Sequence, residues 1–209
     1  MIAETSRRSV AIFDLGGVLL DWNPRYLYRK LFPGDEAAME AFLGKVCTTQ
    51  WNECQDAGRT FAEGLNALMP AHADKIELIE AFGKRFDEMI AGPIEDAVDV
   101  LADVKRRGGP VYAITNWSAE TFAPQLKRFP FLSWFDGIVV SGHERVIKPH
   151  PRIFEILCER YAVEPRSAVF IDDVAANARA ASALGIHGIH FRSADQLRRE
   201  LVAVGLLPG

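Results

Sequence analysis

The sequence of 209 residues predicts an α/β fold: a parallel sheet with helices on both faces, interrupted by an inserted all-helical segment. Two observations predict it. After about residue 93, short apolar runs alternate with helical patterns of roughly 10 to 15 residues, as in βαβ units. Residues 24–92 show helical patterns alone, and we predict no strand between them and about residue 110. We therefore predict a core domain of residues 1–23 and 93–209, and a helical domain of residues 24–92.

The first strand is predicted at residues 10–13, an apolar run that leads to Asp14, Gly16 and Gly17. Consecutive apolar residues that end in turn formers are typical of a strand buried on both faces. Ligands bind at the carboxyl ends of such strands, and glycines allow the backbone to come close to a ligand. Asp14 is therefore a candidate functional residue. The alternative is an aspartate that only caps a turn.

Four short helices are predicted in the inserted segment. Pro24 suits the first turn of the first helix, and 33–35 (Pro-Gly-Asp) separates it from the second. Thr60 and Glu63 have the spacing of a capping box at the start of the third. The fourth is an amphipathic stripe with apolar residues three or four apart: Ile76, Ile79, Phe82, Phe86, Met89 and Ile90.

Between the second and third of these helices lies a stretch with a poor helical pattern. It contains Trp51, Asn52, Gln55 and Asp56. We predict a loop that faces the substrate. The alternative is that Trp51 is a buried anchor of the helical domain.

After residue 93 the pattern alternates between helices and strands. We predict helices that carry Val98 and Leu101, then Phe122, Leu126 and Phe129, then one from Pro151 and an alanine-rich one at 175–184. The predicted strands are 111–114, 137–140, 168–171 and 188–191. Gly108 and Gly185 are expected to end the helices before them.

Composition narrows the classes of function. A hydrophobic content of 49% permits one sizeable core, and a net charge of −4 without a basic run argues against binding to nucleic acid or a membrane surface. We expect a small-molecule partner. Residues 1–9 are polar and lead directly into a strand, so we expect neither a signal peptide nor a membrane span, and a cytoplasmic location. The three cysteines favour neither a disulfide framework nor a zinc site. The oligomeric state is left open.

Polar residues follow the ends of several predicted strands. Because parallel strands end at the same edge of the sheet, these residues should converge: Asp14, Thr115, Asn116, Ser141, Asp172 and Asp173, with Lys148 from a nearby loop. The three carboxylates would repel one another, and a divalent cation is the simplest resolution. Mg²⁺ prefers oxygen ligands, which Asp14, Asp172, Asp173 and the carbonyl of Gly16 provide. A phosphate held by Thr115, Lys148 and the cation could then be attacked in line by Asp14 to give an aspartyl-phosphate.

These residues resemble the haloacid dehalogenase superfamily. Its four motifs are similar to 14–18 (Asp-Leu-Gly-Gly-Val), 114–116 (Ile-Thr-Asn), 148–151 (Lys-Pro-His-Pro) and 170–173 (Phe-Ile-Asp-Asp), in that order. The resemblance implies a Rossmann-like core with residues 24–92 as a helical cap over the active site. It also implies that Asp14 is the nucleophile, that Thr115 and Lys148 stabilise the phosphate, and that Asp14, Asp172, Asp173 and the Gly16 carbonyl hold Mg²⁺. For the substrate we predict contacts with Gly17, Asn116, Trp51 and Asn52.

Gly16 departs from the commonest pattern of this family, in which a second aspartate stands two residues after the nucleophile as general acid and base. Loss of general acid catalysis costs roughly 10²- to 10⁴-fold when nothing substitutes. We therefore expect either an easier leaving group, such as a sugar 1-phosphate, or a substitute acid from the cap. Some members with a similar Asp-x-Gly motif look like sugar-phosphate phosphatases, which favours the first option.

Two alternatives to a phosphatase stay open. The 2-haloacid dehalogenases of the same superfamily also lack the second aspartate and use no metal. As the resemblance has it, they carry serines where this chain has Asp172 and Asp173, and this difference favours the phosphatase. Asn177 lies where a dehalogenase-like segment could be sought, although it can also be a polar residue in the first turn of a helix. The other alternative is a binding or regulatory protein that keeps the fold while Gly16 weakens catalysis.

Overall fold

The computed structural model describes residues 8–209; residues 1–7, which include most of the predicted polar N-terminus, lie outside it. The strands are Val10–Phe13 (β1), Leu20–Trp22 (β2), Ile90–Pro93 (β3), Val111–Thr115 (β4), Gly137–Val140 (β5), Ala168–Asp172 (β6) and His187–His190 (β7). The α-helices are Arg25–Leu31 (α1), Glu36–Lys45 (α2), Thr49–Asp56 (α3), Phe61–Leu68 (α4), Ile76–Lys84 (α5), Glu95–Arg106 (α6), Ala119–Phe122 (α7), Gln125–Arg128 (α8), Ser141–Glu144 (α9), Pro151–Tyr161 (α10), Ala175–Ala183 (α11) and Ala194–Ala203 (α12). Short 3₁₀ turns cover Ala73–Lys75, Phe86–Met89, Pro130–Trp134 and Pro165–Ser167.

The main sheet has five parallel strands in the order β5-β4-β1-β6-β7, with β1 in the middle between β4 and β6. Side chains of β1 alternate between two hydrophobic clusters. Ala11 and Phe13 share one cluster with α6 and α12, whereas Ile12 shares the other with α10 and α11. This alternation is the period of two that a strand covered by helices on both faces requires. The predicted α/β class with a parallel sheet is confirmed.

A second, two-stranded antiparallel sheet flanks the helical segment. In it β2 pairs with β3, with Leu20 opposite Pro93 and Trp22 opposite Ile90. The prediction of no strand before about residue 110 is therefore wrong, and so is the extension of the last helical stripe to Ile90. Residues 90–92 have left the helical pattern because they pair with the chain that leads into the segment. The five helices α1–α5 lie between these two strands in the sequence.

Three other local predictions can be compared with the structure. The capping box at the start of α4 is confirmed, with Thr60 and Glu63 each bonded to the other's backbone. The single helix predicted over Phe122 and Phe129 is wrong: α7 and α8 are separate short turns, since Pro124 between them cannot donate a backbone hydrogen bond. The loop predicted around Trp51 is also wrong, because these residues form α3, so the segment has five α-helices rather than four.

There is a physical reason why the sequence pattern did not predict helix α3. Two of its three buried residues, Gln55 and Asp56, are polar, so its buried face does not produce an apolar stripe in the sequence. The helix begins with a Thr48 side chain that accepts a hydrogen bond from Trp51 N–H. Within residues 8–209 we find no helix with the length and apolar character needed to cross a membrane.

Candidate active site

A cavity of about 570 Å³ lies where the ends of β1 and β4 meet the helical segment. Its lining brings together most of the residues singled out in the sequence: Asp14, Gly16, Gly17, Thr115, Asn116, Lys148 and Asp173 from the core, and Asn52 and Asp56 from α3. A second cavity of about 680 Å³ is lined by arginines of α6 and α12 and by none of these residues. The candidate site is therefore the first cavity.

Lys148 is at the centre of the charged residues and is buried, with 3% of its surface exposed. Its ammonium nitrogen lies 2.8 Å from Oδ1 of Asp14 and 2.8 Å from Oδ2 of Asp172. It also donates to the carbonyl oxygen of Ile114 at 3.1 Å. The three donors of the ammonium group are thus used by three oxygens at the ends of β1, β4 and β6. Burial lowers the pKa of Lys148, but the charges of the two aspartates outweigh this effect and raise it, so the ammonium group stays protonated.

Asp14 follows the last residue of β1 and is buried. One of its oxygens, Oδ1, accepts a hydrogen bond from Leu15 N–H at 2.7 Å and is the oxygen that contacts Lys148. Burial raises the pKa of Asp14 to about 8, against the opposing charge of Lys148, and the charges of Asp172 and Asp173 add to the increase. An additional positive charge beside this carboxyl group would favour its ionised form.

Asp172 and Asp173 are neighbours in sequence with different surroundings. Asp172 is fully buried, and its oxygens accept from Val174 N–H at 2.8 Å, from the Asn177 amide at 3.0 and 3.1 Å, and from Lys148. Asp173 is exposed and lines the cavity. Partial desolvation and the charge of Asp172 raise the pKa of Asp173. Of the two, Asp173 is the one that lines the cavity, whereas Asp172 contacts Lys148.

The three carboxylates fit a magnesium ion. Asp14, Asp172 and Asp173 each offer an oxygen atom, and these atoms lie within 4.8 Å of one another. Lys148 balances only one of the three negative charges, so a divalent cation would neutralise the rest, and a donor set made of oxygens suits Mg²⁺. Gly17, at φ +72°, leaves room for this arrangement, because a Cβ at this position would lie 2.3 Å from Oδ2 of Asp173.

Asn116 holds the backbone of Lys148. Its amide nitrogen donates to the Lys148 carbonyl at 3.1 Å, and its Oδ1 accepts from Lys148 N–H at 2.8 Å. Thr115, with 1% of its surface exposed, ends β4 and lines the cavity beside it. Asn116 thus joins the second and third of the motifs noted in the sequence.

Helix α3 supplies the wall of the cavity that faces the sheet. Asn52 and Asp56, four residues apart on one helical face, both line the cavity, and the Asn52 amide donates to Oδ2 of Asp56 at 2.9 Å. Trp51 does not line it: the indole is buried, donates to the carbonyl of Gly64 at 3.1 Å and packs against Phe61 and Phe82. This placement corresponds to the anchoring role that was the alternative for Trp51.

Asp56 is a cavity residue to which sequence reasoning gave no role of its own. The residue is 9% exposed, and burial together with the charge of Glu53 raises the pKa of its carboxyl group to about 7, against the Ser118 backbone amide and Lys148. Its main-chain carbonyl accepts a 2.5 Å hydrogen bond from Ser141, which ties α3 to the end of β5. The only feature of the sequence that could have indicated a role for Asp56 was its spacing of four residues from Asn52, which places both on one face of a helix.

A family model described as haloacid dehalogenase-like hydrolase matches residues 9–185. Among curated proteins, the chain is 28% identical to the sesquiterpene phosphatase astK of Aspergillus oryzae, over 86% of this chain and 88% of that protein. It is 26% identical to acyl-CoA dehydrogenase family member 10 of mouse over 92% of this chain, but it spans only 19% of that protein's length.

Solved structures of the same fold include a HAD family enzyme of Bacteroides thetaiotaomicron in complex with magnesium and inorganic phosphate. It has a TM-score of 0.67 and 21% identity, over 88% of this chain and 94% of that one. The L-2-haloacid dehalogenase of Xanthobacter autotrophicus has a TM-score of 0.61 and 18% identity, over 96% of this chain and 85% of that one. At these identities the likeness is one of fold.

Proposed function

The chain belongs to the haloacid dehalogenase-like hydrolases, and from this premise we propose that it is a Mg²⁺-dependent phosphatase of a small phosphomonoester that reacts through an aspartyl-phosphate on Asp14. The proposal includes residues 24–92 as a helical cap over the site. The observation that carries it is the set of three carboxylates, Asp14, Asp172 and Asp173, around the single ammonium of Lys148. A divalent cation would balance the two carboxylates that Lys148 leaves uncompensated, and its remaining coordination positions would accept phosphate oxygens.

Each residue of the site has a proposed role in phosphoryl transfer. Bound Mg²⁺, held by Asp14, Asp173 and the Gly16 carbonyl, would supply positive charge for the phosphoryl oxygens. We assign Asp172 to Lys148 rather than to the metal, because both of its oxygens already accept hydrogen bonds. The contacts of Asp14 with Leu15 and Lys148 fall on Oδ1, so we assign the in-line attack to Oδ2. The phosphorus–oxygen bond to the leaving group breaks as the bond to Oδ2 forms, and water then cleaves the aspartyl-phosphate to regenerate Asp14. Lys148 and Thr115 stabilise the charge on the phosphoryl group.

Three observations support a phosphatase over a dehalogenase. Asp173 places a second carboxylate in the cavity beside Asp14, which a metal-free displacement of halide does not need. The Aspergillus relative is named a phosphatase and matches over most of both chains. The Bacteroides enzyme of the same fold was crystallised with magnesium and phosphate. A cavity of about 570 Å³ is in the usual range for a small-molecule ligand. A sugar 1-phosphate is the first candidate, because its leaving group needs less assistance from an acid.

The test is a phosphate-release assay with and without Mg²⁺ over glucose 1-phosphate, glucose 6-phosphate, glycerol 3-phosphate and p-nitrophenyl phosphate. We expect release that depends on Mg²⁺, is abolished in Asp14→Asn, and is faster with glucose 1-phosphate than with glucose 6-phosphate. Chloroacetate is included as a control for halide release. Release of chloride that a chelator does not affect would establish the dehalogenase instead, and release of neither product would overturn the proposal.

A further inference from the structure

A small cavity of about 70 Å³ lies between the nucleophile loop and the cap, beside the main cavity. It is lined by Gly16, Trp22, Asn52, Asp56, Phe86, Asn116 and Trp117. A Cβ built on Gly16 would meet no atom within 4 Å, so the space beside this residue is open. The structure thus leaves room beside Gly16, two residues after the proposed nucleophile, and Asp56 borders that room from the cap.

Two buried polar atoms indicate that a polar group belongs in this cavity. Among the described residues, Nε1 of Trp22 and Oδ1 of Asn52 are buried and have no hydrogen-bond partner, and both residues line the cavity. Buried polar atoms without partners are uncommon in native proteins and often mark an absent ligand or water. One is a donor and the other an acceptor. An alcohol oxygen with its proton can satisfy both, and an alcohol is the product that hydrolysis of a phosphomonoester leaves.

We infer that Asp56 is the proton donor to the leaving-group oxygen, reaching it from the cap through the space that Gly16 leaves open. This inference rests on the proposed phosphatase function. In the first step the neutral carboxyl group of Asp56 gives its proton to the ester oxygen as the phosphorus–oxygen bond breaks. In the second step the Asp56 carboxylate takes a proton from the water that attacks the aspartyl-phosphate, so the cycle ends with an alcohol and phosphate and with both aspartates restored.

The surroundings of Asp56 suit this role. A general acid is most effective when its pKa lies near the working pH, and the pKa of Asp56 is raised to about 7. Its side chain is positioned by the Asn52 amide, and its main chain by Ser141. The charged groups around it are Glu53 on its own helix, Lys148, and the cavity residues Asp14, Asp173, Arg25 and Glu40. Since Asp56 is on the cap, proton transfer would be coupled to closure of the site.

The leaving group provides the test. p-Nitrophenolate leaves without a proton, whereas an alkoxide does not, so an acid matters only for the second. We compare kcat/KM, which reports on phosphoryl transfer to Asp14, for p-nitrophenyl phosphate and for the best alkyl phosphate of the panel. Asp56→Asn should lower kcat/KM for the alkyl phosphate by about 100-fold or more and for p-nitrophenyl phosphate by less than about 5-fold. Adding Gly16→Asp to this variant should recover at least part of the alkyl activity.

A measurement on the unmodified enzyme covers the case in which Asp56→Asn fails to fold. The value of kcat/KM for the alkyl phosphate should fall as the pH rises above about 7, and the profile for p-nitrophenyl phosphate should lack this decrease. The ionisation of Asp14 and Lys148 affects kcat/KM for both substrates alike. The difference between the two pH profiles therefore reports on the acid that protonates the leaving group. Equal losses on both substrates, identical profiles, or activity on p-nitrophenyl phosphate alone would overturn the role of Asp56 while the proposed function stands. An enzyme inactive on the whole panel would overturn the proposed function itself.

Discussion

Asn116 and Lys148 are joined by two hydrogen bonds that run in opposite directions, from the Asn116 amide to the Lys148 carbonyl and from the Lys148 N–H to Oδ1 of Asn116. The pair connects the end of β4 with the loop before α10. Because the ammonium of Lys148 contacts Asp14 and Asp172, a shift of its backbone would move the positive charge away from both carboxylates. We therefore expect Asn116 to affect the proposed reaction through the position of Lys148.

Asn116→Ala should lower kcat/KM by about 100-fold, since misplacement of a catalytic group by about 1 Å costs roughly this much. The loss should appear with alkyl and aryl phosphates alike, because Lys148 contacts the nucleophile rather than the leaving group. The measurement is steady-state hydrolysis by the variant and by Asn66→Ala, a matched change at an exposed site of α4. Activity within about 3-fold of the starting enzyme would show that Lys148 keeps its place without Asn116.

Much of the fold could be predicted because the central strands are continuous runs of apolar residues. Residues 10–13 and 168–171 are buried on both faces, so each appears as a continuous hydrophobic stretch bounded by turn residues. Parallel pairing then places Asp14, Thr115 and Asp172 at one edge without further information. Asp14 and Thr115 both line the cavity. Asp172 does not line it and instead contacts the ammonium group of Lys148.

Helix α3, strand β3 and the different surroundings of Asp172 and Asp173 could not be predicted, because they depend on polar residues or on contacts between residues distant in sequence. Helix α3 has no apolar stripe since its buried face carries Gln55 and Asp56, and the same polarity is what brings a carboxyl group to the cavity. The strand β3 is defined only by its pairing with β2, about 70 residues earlier, which no local pattern contains. The different surroundings of Asp172 and Asp173 depend on which side chain Lys148 reaches.

Gly17→Ala should weaken magnesium activation and destabilise the fold. The new Cβ would lie 2.3 Å from Oδ2 of Asp173, and the residue has a φ of +72°, which costs an L-residue about 1–2 kcal/mol. We expect a lower free energy of unfolding by at least about 1 kcal/mol and a several-fold higher Mg²⁺ concentration for half-maximal activity. Gly16→Ala is the matched stability control, because its Cβ meets nothing within 4 Å. Equal stabilities of the two variants in urea unfolding would contradict this account.

Asp172→Asn and Asp173→Asn should have opposite profiles of stability and metal response. Asp172→Asn removes one of the two carboxylates that contact buried Lys148, while Asp14 remains, so we expect the free energy of unfolding to fall by about 1–3 kcal/mol. Asp173→Asn changes an exposed residue, so its stability should stay within about 1 kcal/mol of the starting protein. Its activity should instead need at least about 10-fold more Mg²⁺. Urea unfolding combined with a Mg²⁺ titration checks both, and a metal response lost in Asp172→Asn alone would reverse the assignment.

Asp56 should contribute a decrease in stability with rising pH between about 4 and 7, in the same direction as Asp14, whose pKa is also raised. The pKa of Asp56 is raised from 3.8 to about 7, so in this interval the folded state binds more protons than the unfolded state. Each pH unit then lowers the free energy of unfolding by up to about 1.4 kcal/mol, with no contribution above about pH 7. Asp56→Asn should lack the Asp56 part of this slope and keep the part due to Asp14, so its stability relative to the starting protein should increase from pH 4 to 7 and then stay level. Glu53→Gln, which removes a charge that raises this pKa, should end the slope at a lower pH. Urea unfolding at a series of pH values measures all three proteins, and parallel curves for the starting protein and Asp56→Asn would show that the carboxyl group of Asp56 is ionised in the folded state well below pH 7.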